Sequence, residues 1–173
     1  MSESDDILAD VPPGPLRRGW TTGACATAAT RAAYEALLTG TSPASVEITL
    51  PNGARPLFAV ATFERSGESA TAGVVKDAGD DPDVTHGALI KATVRVGAPG
   101  TGVVFQAGDG VGTVTKPGLL LAPGEPAINP VPREMMRTTV REAAERFGGS
   151  GDVVITISVP DGAALAEKDR KST

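Results

Sequence analysis

The chain is 173 residues long with a net charge of −5, and 40% of it is apolar but only 3% aromatic. That is one domain's worth of chain, with a core that Val, Ile, Leu and Ala must fill. The acidic balance argues against generic nucleic-acid binding, which depends on neutralising phosphates, and no apolar run of about 18 residues marks a membrane span.

Residues 1–16, MSESDDILADVPPGPL, are acidic and proline-rich. They lack the basic and apolar regions of a signal peptide and read as a disordered leader. The first ordered element is a predicted helix from Thr22 to Leu38, alanine-rich, with Thr at the N-cap and Gly40 past its last turn. Cys25 lies in its first turn, where a thiolate is favoured but a small buried residue is commoner. As the single cysteine it forms no intrachain disulfide, which suits a reducing cytoplasm.

Strands follow. Val46–Leu50 alternates, Asn52-Gly53 signals a hairpin, and Pro56–Phe63 forms the returning strand. Thr71–Val75 is a short strand. Ala88–Val96 alternates strictly, which places Ile90, Ala92, Val94 and Val96 on one face and Lys91, Thr93 and Arg95 on the other. Gly102–Gln106 and Val111–Thr115 read as a hairpin around Gly108-Asp109-Gly110. A second helix is predicted over Pro132–Phe147, with Met136, Val140, Ala143 or Ala144, and Phe147 recurring at helical spacing, and a last strand over Asp152–Val159. Two helices with clustered hairpins predict an α+β fold: a two-layer sandwich of a mostly antiparallel or mixed sheet with two main helices. The ordered domain is expected to run over 17–162, with a tail at 163–173.

Four stretches carry chemistry. The first is Lys76–Gly87, KDAGDDPDVTHG, a connector between strands. Asp77, Asp80, Asp81 and Asp83 repel one another unless something compensates them, and His86 titrates near neutrality. On composition alone a solvated acidic turn is the stronger reading over a ligand loop. A calcium loop is weakest, because the spacing lacks the alternating ligands and distal Glu of an EF-hand. No metal site is expected. The second stretch, Gly108–Gly118, fails the dinucleotide fingerprint in both spacing and following element. It reads as a glycine-rich hairpin that contains Gly110 and sets Lys116 before a rigid Pro117. The third is Thr21-Thr22-Gly23 at a helix start, where free N–H groups and the dipole suit an anion, with ordinary capping the plainer reading. The fourth, Gly124–Arg133, is stiffened by prolines that fix the directions of Glu125, Asn129 and Arg133, or simply lead into the helix.

Taken in order, GWTTGACATAA (19–29), KDAGDDPDVTHG (76–87), GDGVGTVTKPGL (108–119) and GEPAINPVPR (124–133) resemble the cobalt-precorrin-5B C1-methyltransferases of anaerobic cobalamin biosynthesis. The resemblance runs from about Arg18 to Lys168. It implies methyl transfer from S-adenosylmethionine to C1 of a cobalt-precorrin corrinoid. The ring's carboxylates would then meet Thr21, Thr22 and Gly23 with Arg17, Arg18, Lys76, Lys116 and Arg133 nearby, while Asp80, Asp83, Gly110, Glu125 and Asn129 are further substrate-binding candidates that order the loops or meet other polar groups. His86, Asp77 and Asp81 are the candidates for moving a proton, although methyl transfer mainly needs alignment. Members continue past Val159–Gly162 into a second glycine-rich α/β domain, the expected home of S-adenosylmethionine. This chain would then supply the substrate-binding half. Homo-oligomerisation is left open. The competing readings are a noncatalytic tetrapyrrole- or anion-binding module and a metal-binding fragment built on the aspartates.

Overall fold

The computed structural model describes residues 20–76, 87–112 and 125–160. Helix α1 spans Thr22–Thr39. Strands β1 (Ser45–Glu47), β2 (Leu57–Ala59), β3 (Thr62–Ser66), β4 (Ser69–Val75), β5 (Leu89–Val96) and β6 (Val103–Ala107) follow, then α2 (Pro130–Phe147) and β7 (Val153–Ser158). The main sheet is five-stranded in the order β3-β4-β5-β7-β6, and β1 and β2 form a separate two-stranded sheet. All pairs are antiparallel except β6 with β7. This is the predicted α+β class.

Local chemistry explains α1. The Thr21 hydroxyl accepts from the Ala24 N–H at 2.9 Å, and Gly40 closes the helix at φ 81°, a left-handed conformation that glycine adopts without a Cβ penalty. Ala24, Ala26, Ala28, Ala29, Ala32, Ala33 and Ala36 are all buried, so the helix is apolar around most of its girth. A helix of that kind belongs inside the molecule. It lies against β4 and β5, packs along α2 and touches β1. Arg31 ties the two helices together from a buried position: it donates to Glu35 at 2.7 Å and lies 3.5 Å from Glu142 and from the Thr139 hydroxyl.

The core face of the sheet carries Ala70, Ala72, Val74, Ile90, Ala92, Val94, Phe105, Ile155 and Ile157. Register sets Ala72 beside Ala92 and Ala92 beside Ile157. Small residues in the middle strands let α1 approach closely.

Several expected elements shift. Pro56–Phe63 is two strands, since the chain leaves the small sheet after Ala59 and enters the large one at Thr62. The hairpin turn is Leu50–Gly53, closed by Gly53 N–H to the Leu50 carbonyl, with Pro51 and Asn52 central and Gly53 at φ 90°. Val96, the last residue of β5, is 52% exposed. Helix α2 begins at Pro130, two residues earlier than Pro132, with Asn129 at its N-cap. The expected β-hairpin partner of β6 is not formed by Val111 and Gly112. Val111 N–H instead turns back to the Gly108 carbonyl, and Gly112 accepts from Ala127. Residues 113–115 lie outside the described residues.

Candidate functional site

Helix α1 has a fixed direction across the sheet. Its C-terminal half meets the end of the sheet where β3 finishes and β4 and β7 begin: Arg65 on β3 donates to the Ala36 carbonyl, and the Tyr34 hydroxyl accepts from Gly151 just before β7. Its N-terminus therefore points to the other end of the sheet. There β4 finishes, β5 begins, and β6 and β7 finish. That end holds Thr21–Gly23, the Gly108–Gly112 turn after β6, and Asn129 at the start of α2. The connector between β4 and β5 is closed at its base here by two backbone bonds, Lys76 N–H to the Ala88 carbonyl and Gly87 N–H to the Lys76 carbonyl. All four sequence stretches are thus anchored at one end of the domain.

Two adjoining clefts open there and share Thr22, Gly23, Asn129 and Pro132 as a wall. The larger, about 610 Å³, is bounded also by Thr21, Leu50, Pro51, Asn52, Val131 and Met135. The smaller, about 160 Å³, runs inward to Val111, Ile157 and Val159. The helix starts are pressed together at this wall, because a Cβ on Gly23 would stand 2.6 Å from Pro132 Cγ.

The electrostatics of the wall follow from the helix ends. Neither first turn contains an acidic residue, so neither positive helix end is internally neutralised. In α1, Ala24 N–H serves the Thr21 hydroxyl and Cys25 N–H the Thr21 carbonyl. The N–H groups of Thr22 and Gly23 have no partner among the described residues. Helix α2 offers fewer donors: Pro130 and Pro132 have none, and Arg133 N–H bonds the Asn129 carbonyl at 3.2 Å. Asn129 makes no capping bond with its side chain and is exposed. The wall thus combines two free amides, an uncommitted carboxamide and two dipole ends.

Arg133 and Glu125 occupy a different place. The buried Arg133 guanidinium donates to the Ile128 carbonyl and the Pro126 carbonyl, each at 2.8 Å, and meets Glu125 at 3.2 Å. It also lies 5.1 Å from the Phe105 ring centroid. It pins the strap before α2 and so fixes Asn129. Lys76 is buried at the connector's base, and Gly110 (φ 76°) sits in the turn after β6. Gly108 must be glycine, because a Cβ there would strike Ser158 and the Ile157 carbonyl. Asp77, Asp80, Asp81, Asp83, His86 and Lys116 lie outside the described residues, as do Arg17 and Arg18. Cys25 is fully buried.

Leu50–Asn52, Val131 and Met135 were not legible as site residues, since Pro51-Asn52-Gly53 signals only a turn. No group of His, Cys, Asp and Glu fit to hold a metal occurs among the described residues. A separate trough of about 470 Å³ at the opposite end, lined by Arg137, Arg141 and Gly149–Asp152, touches none of the four stretches.

The CbiD family model matches residues 10–171. A cobalt-precorrin-5B C(1)-methyltransferase from Bradyrhizobium sp. (strain BTAi1) is 64% identical over 97% of this chain and 44% of its own length. The protein of the same name from Agrobacterium fabrum is 63% identical over 88% of the chain and 40% of its own length. The crystal structure of a cobalamin biosynthesis protein (cbiD) from Archaeoglobus fulgidus superposes with a TM-score of 0.67 at 31% identity, covering 92% of this chain and 49% of that one. The chain spans less than half the length of these relatives.

Proposed function

The chain belongs to the CbiD family, and we propose that it acts in the C1-methylation of cobalt-precorrin-5B as the substrate-binding half of the enzyme. The observation that supports this is that three of the four stretches line two adjoining clefts with an anion-seeking wall, and the base of the fourth, Lys76 and Gly87, is anchored at the same end of the domain. A corrinoid precursor is a wide ring with carboxylates at its rim. The free amides of Thr22 and Gly23 and the carboxamide of Asn129 suit those carboxylates, and the helix dipoles add to the attraction. Desolvation in the cleft strengthens each contact.

Within this reading Thr21 shapes the helix start, while Arg133 and Glu125 are positioning residues for Asn129. Lys76 closes the base of the aspartate-rich connector. His86, Asp77 and Asp81 on that connector are the candidates for proton movement, and Asp80, Asp83 and Lys116 for polar contacts to the ring. Methyl transfer is governed chiefly by alignment of donor and acceptor, so the chain's share of the chemistry is to hold C1 in place.

The methyl donor of the proposed reaction is S-adenosylmethionine. Its site is not assigned to the described residues. The Gly108–Gly112 turn uses its backbone on Ile157, Val159 and Ala127, and the Gly148–Gly151 turn uses its own on Ala144 and Tyr34. In the first turn only the Gly108 and Val111 N–H groups are spent, while Asp109 and Gly112 take part through their carbonyls, and no step is assigned through the cofactor. A cytoplasmic setting accords with the pathway.

The test is an absorbance titration of the chain with cobyrinic acid, a cobalt corrinoid with free carboxylates. The expectation is saturable binding that weakens as salt rises. Incubation with cobalt-precorrin-5B, S-adenosylmethionine and the remaining part of a relative should then add the mass of one methyl group. Absence of corrinoid binding overturns the proposal.

A further inference from the structure

We propose that the tip of the β1–β2 hairpin, Leu50-Pro51-Asn52, is the second wall of the substrate cleft and packs against a face of the bound ring; this rests on the corrinoid reading above. The hairpin stands apart from the main sheet, yet it is firmly rooted. Val46, Ile48 and Phe58 are buried in the core, and Trp20 lies against Phe58 with ring centroids 5.6 Å apart. Its tip is rigid as well. Leu50 N–H bonds the Ala54 carbonyl, Gly53 N–H bonds the Leu50 carbonyl, and the Asn52 side chain accepts from Ala54 N–H at 2.9 Å. Proline at position 51 fixes φ.

A hairpin with a buried root and a rigid tip would be unremarkable if its tip met only solvent. This one faces the start of α2 across the cleft. Val131, 57% exposed in the first turn of α2, and Met135 form the opposite side. The cleft therefore has aliphatic sides (Leu50, Pro51, Val131 and Met135) and a polar end of Thr22 and Gly23 amides, Asn52 and Asn129. A ring with apolar faces and a carboxylate rim matches that division. Aliphatic walls also answer the shortage of aromatic residues, since a flat ring gains dispersion contact from any well-packed surface. Rigid walls keep the ordering cost of binding low.

The experiment is the cobyrinic acid titration on four variants of the chain, each also checked by thermal melting. Pro51→Glu and Val131→Glu place a carboxylate against the ring and should each weaken binding by more than about tenfold. Pro51→Gln makes the same backbone change without charge and should stay within about threefold. Leu57→Glu, on the same hairpin but outside the cleft, should stay within about twofold. The proposal is overturned if Pro51→Glu binds like the unaltered chain while Val131→Glu is impaired. Equal losses in Pro51→Glu and Pro51→Gln also overturn it, because they trace the effect to the turn. Failure of the unaltered chain to bind overturns the underlying reading and this wall with it.

Discussion

Gly23→Ala tests the tightest contact at the cleft. The added Cβ would stand 2.6 Å from Pro132 Cγ and 2.9 Å from Pro132 Cβ. Carbon atoms rest at about 3.5–4.0 Å, so the helix starts must part by about 1 Å. A proline ring cannot swing away as a flexible side chain does. Overpacking of this kind costs about 1–3 kcal/mol. Alanine regains at most about 1 kcal/mol of helix propensity, and less in a first turn. The expected net loss is about 1–2 kcal/mol, read as a fall of about 3–8 °C in the melting midpoint by circular dichroism. Combining it with Pro132→Ala, which removes the nearer atom, should recover at least about 0.5 kcal/mol in a double-mutant cycle. A Gly23→Ala protein that melts at or above the parent temperature would refute the claim that α1 and α2 are in contact there.

Arg31→Ala removes a buried cation from between Glu35 and Glu142; the two carboxylates are partly solvated, so the loss by urea denaturation should be about 1–3 kcal/mol, with Arg31→Met milder. Thr30 carries a buried hydroxyl without a hydrogen-bond partner among the described residues. Thr30→Val should therefore be neutral or stabilise by up to about 1 kcal/mol in the same assay, and a loss of that size would contradict the assignment. The Asp152 carboxylate accepts from the Gly100 and Gly102 N–H groups, and these bonds hold its pKa below the usual carboxylate value. A folded pKa below the unfolded one gives stability that is present above the unfolded value and lost as pH falls through the folded value. Asp152→Asn should flatten stability against pH in that acid range, as followed by melting at stepped pH. Arg133→Lys lacks the planar fork that reaches Ile128, Pro126 and Glu125 together. It should weaken corrinoid binding through the loosened strap at Asn129, and unchanged affinity would remove its positioning role.

Local signals that depend on neighbouring residues were legible in the chain. Thr21 and Gly40 bracket α1 because capping chemistry is local, and the alternation of Ile90, Ala92 and Val94 marks β5 because strand side chains alternate with a period of two. The four stretches were likewise visible as polar, glycine-rich or proline-rich punctuation. What failed needed partners distant in sequence. The parallel pairing of β6 with β7 joins residues across α2, so the turn around Gly108-Asp109-Gly110 resembled a hairpin. Val96 continues the alternation but is exposed at the last position of β5, which the alternation alone does not reveal.

The sequence by itself determined the α+β class, the start of α1, the end of α2 and the family, because caps, periodicity and ordered motifs are properties of short segments. Only the tertiary structure decided that Arg133 braces the strap and that the β1–β2 hairpin tip faces α2 across a cleft. It alone set the starts of α1 and α2 against each other through Gly23 and Pro132. Those facts depend on which residues meet across the fold, and a residue's type does not specify its neighbours in space.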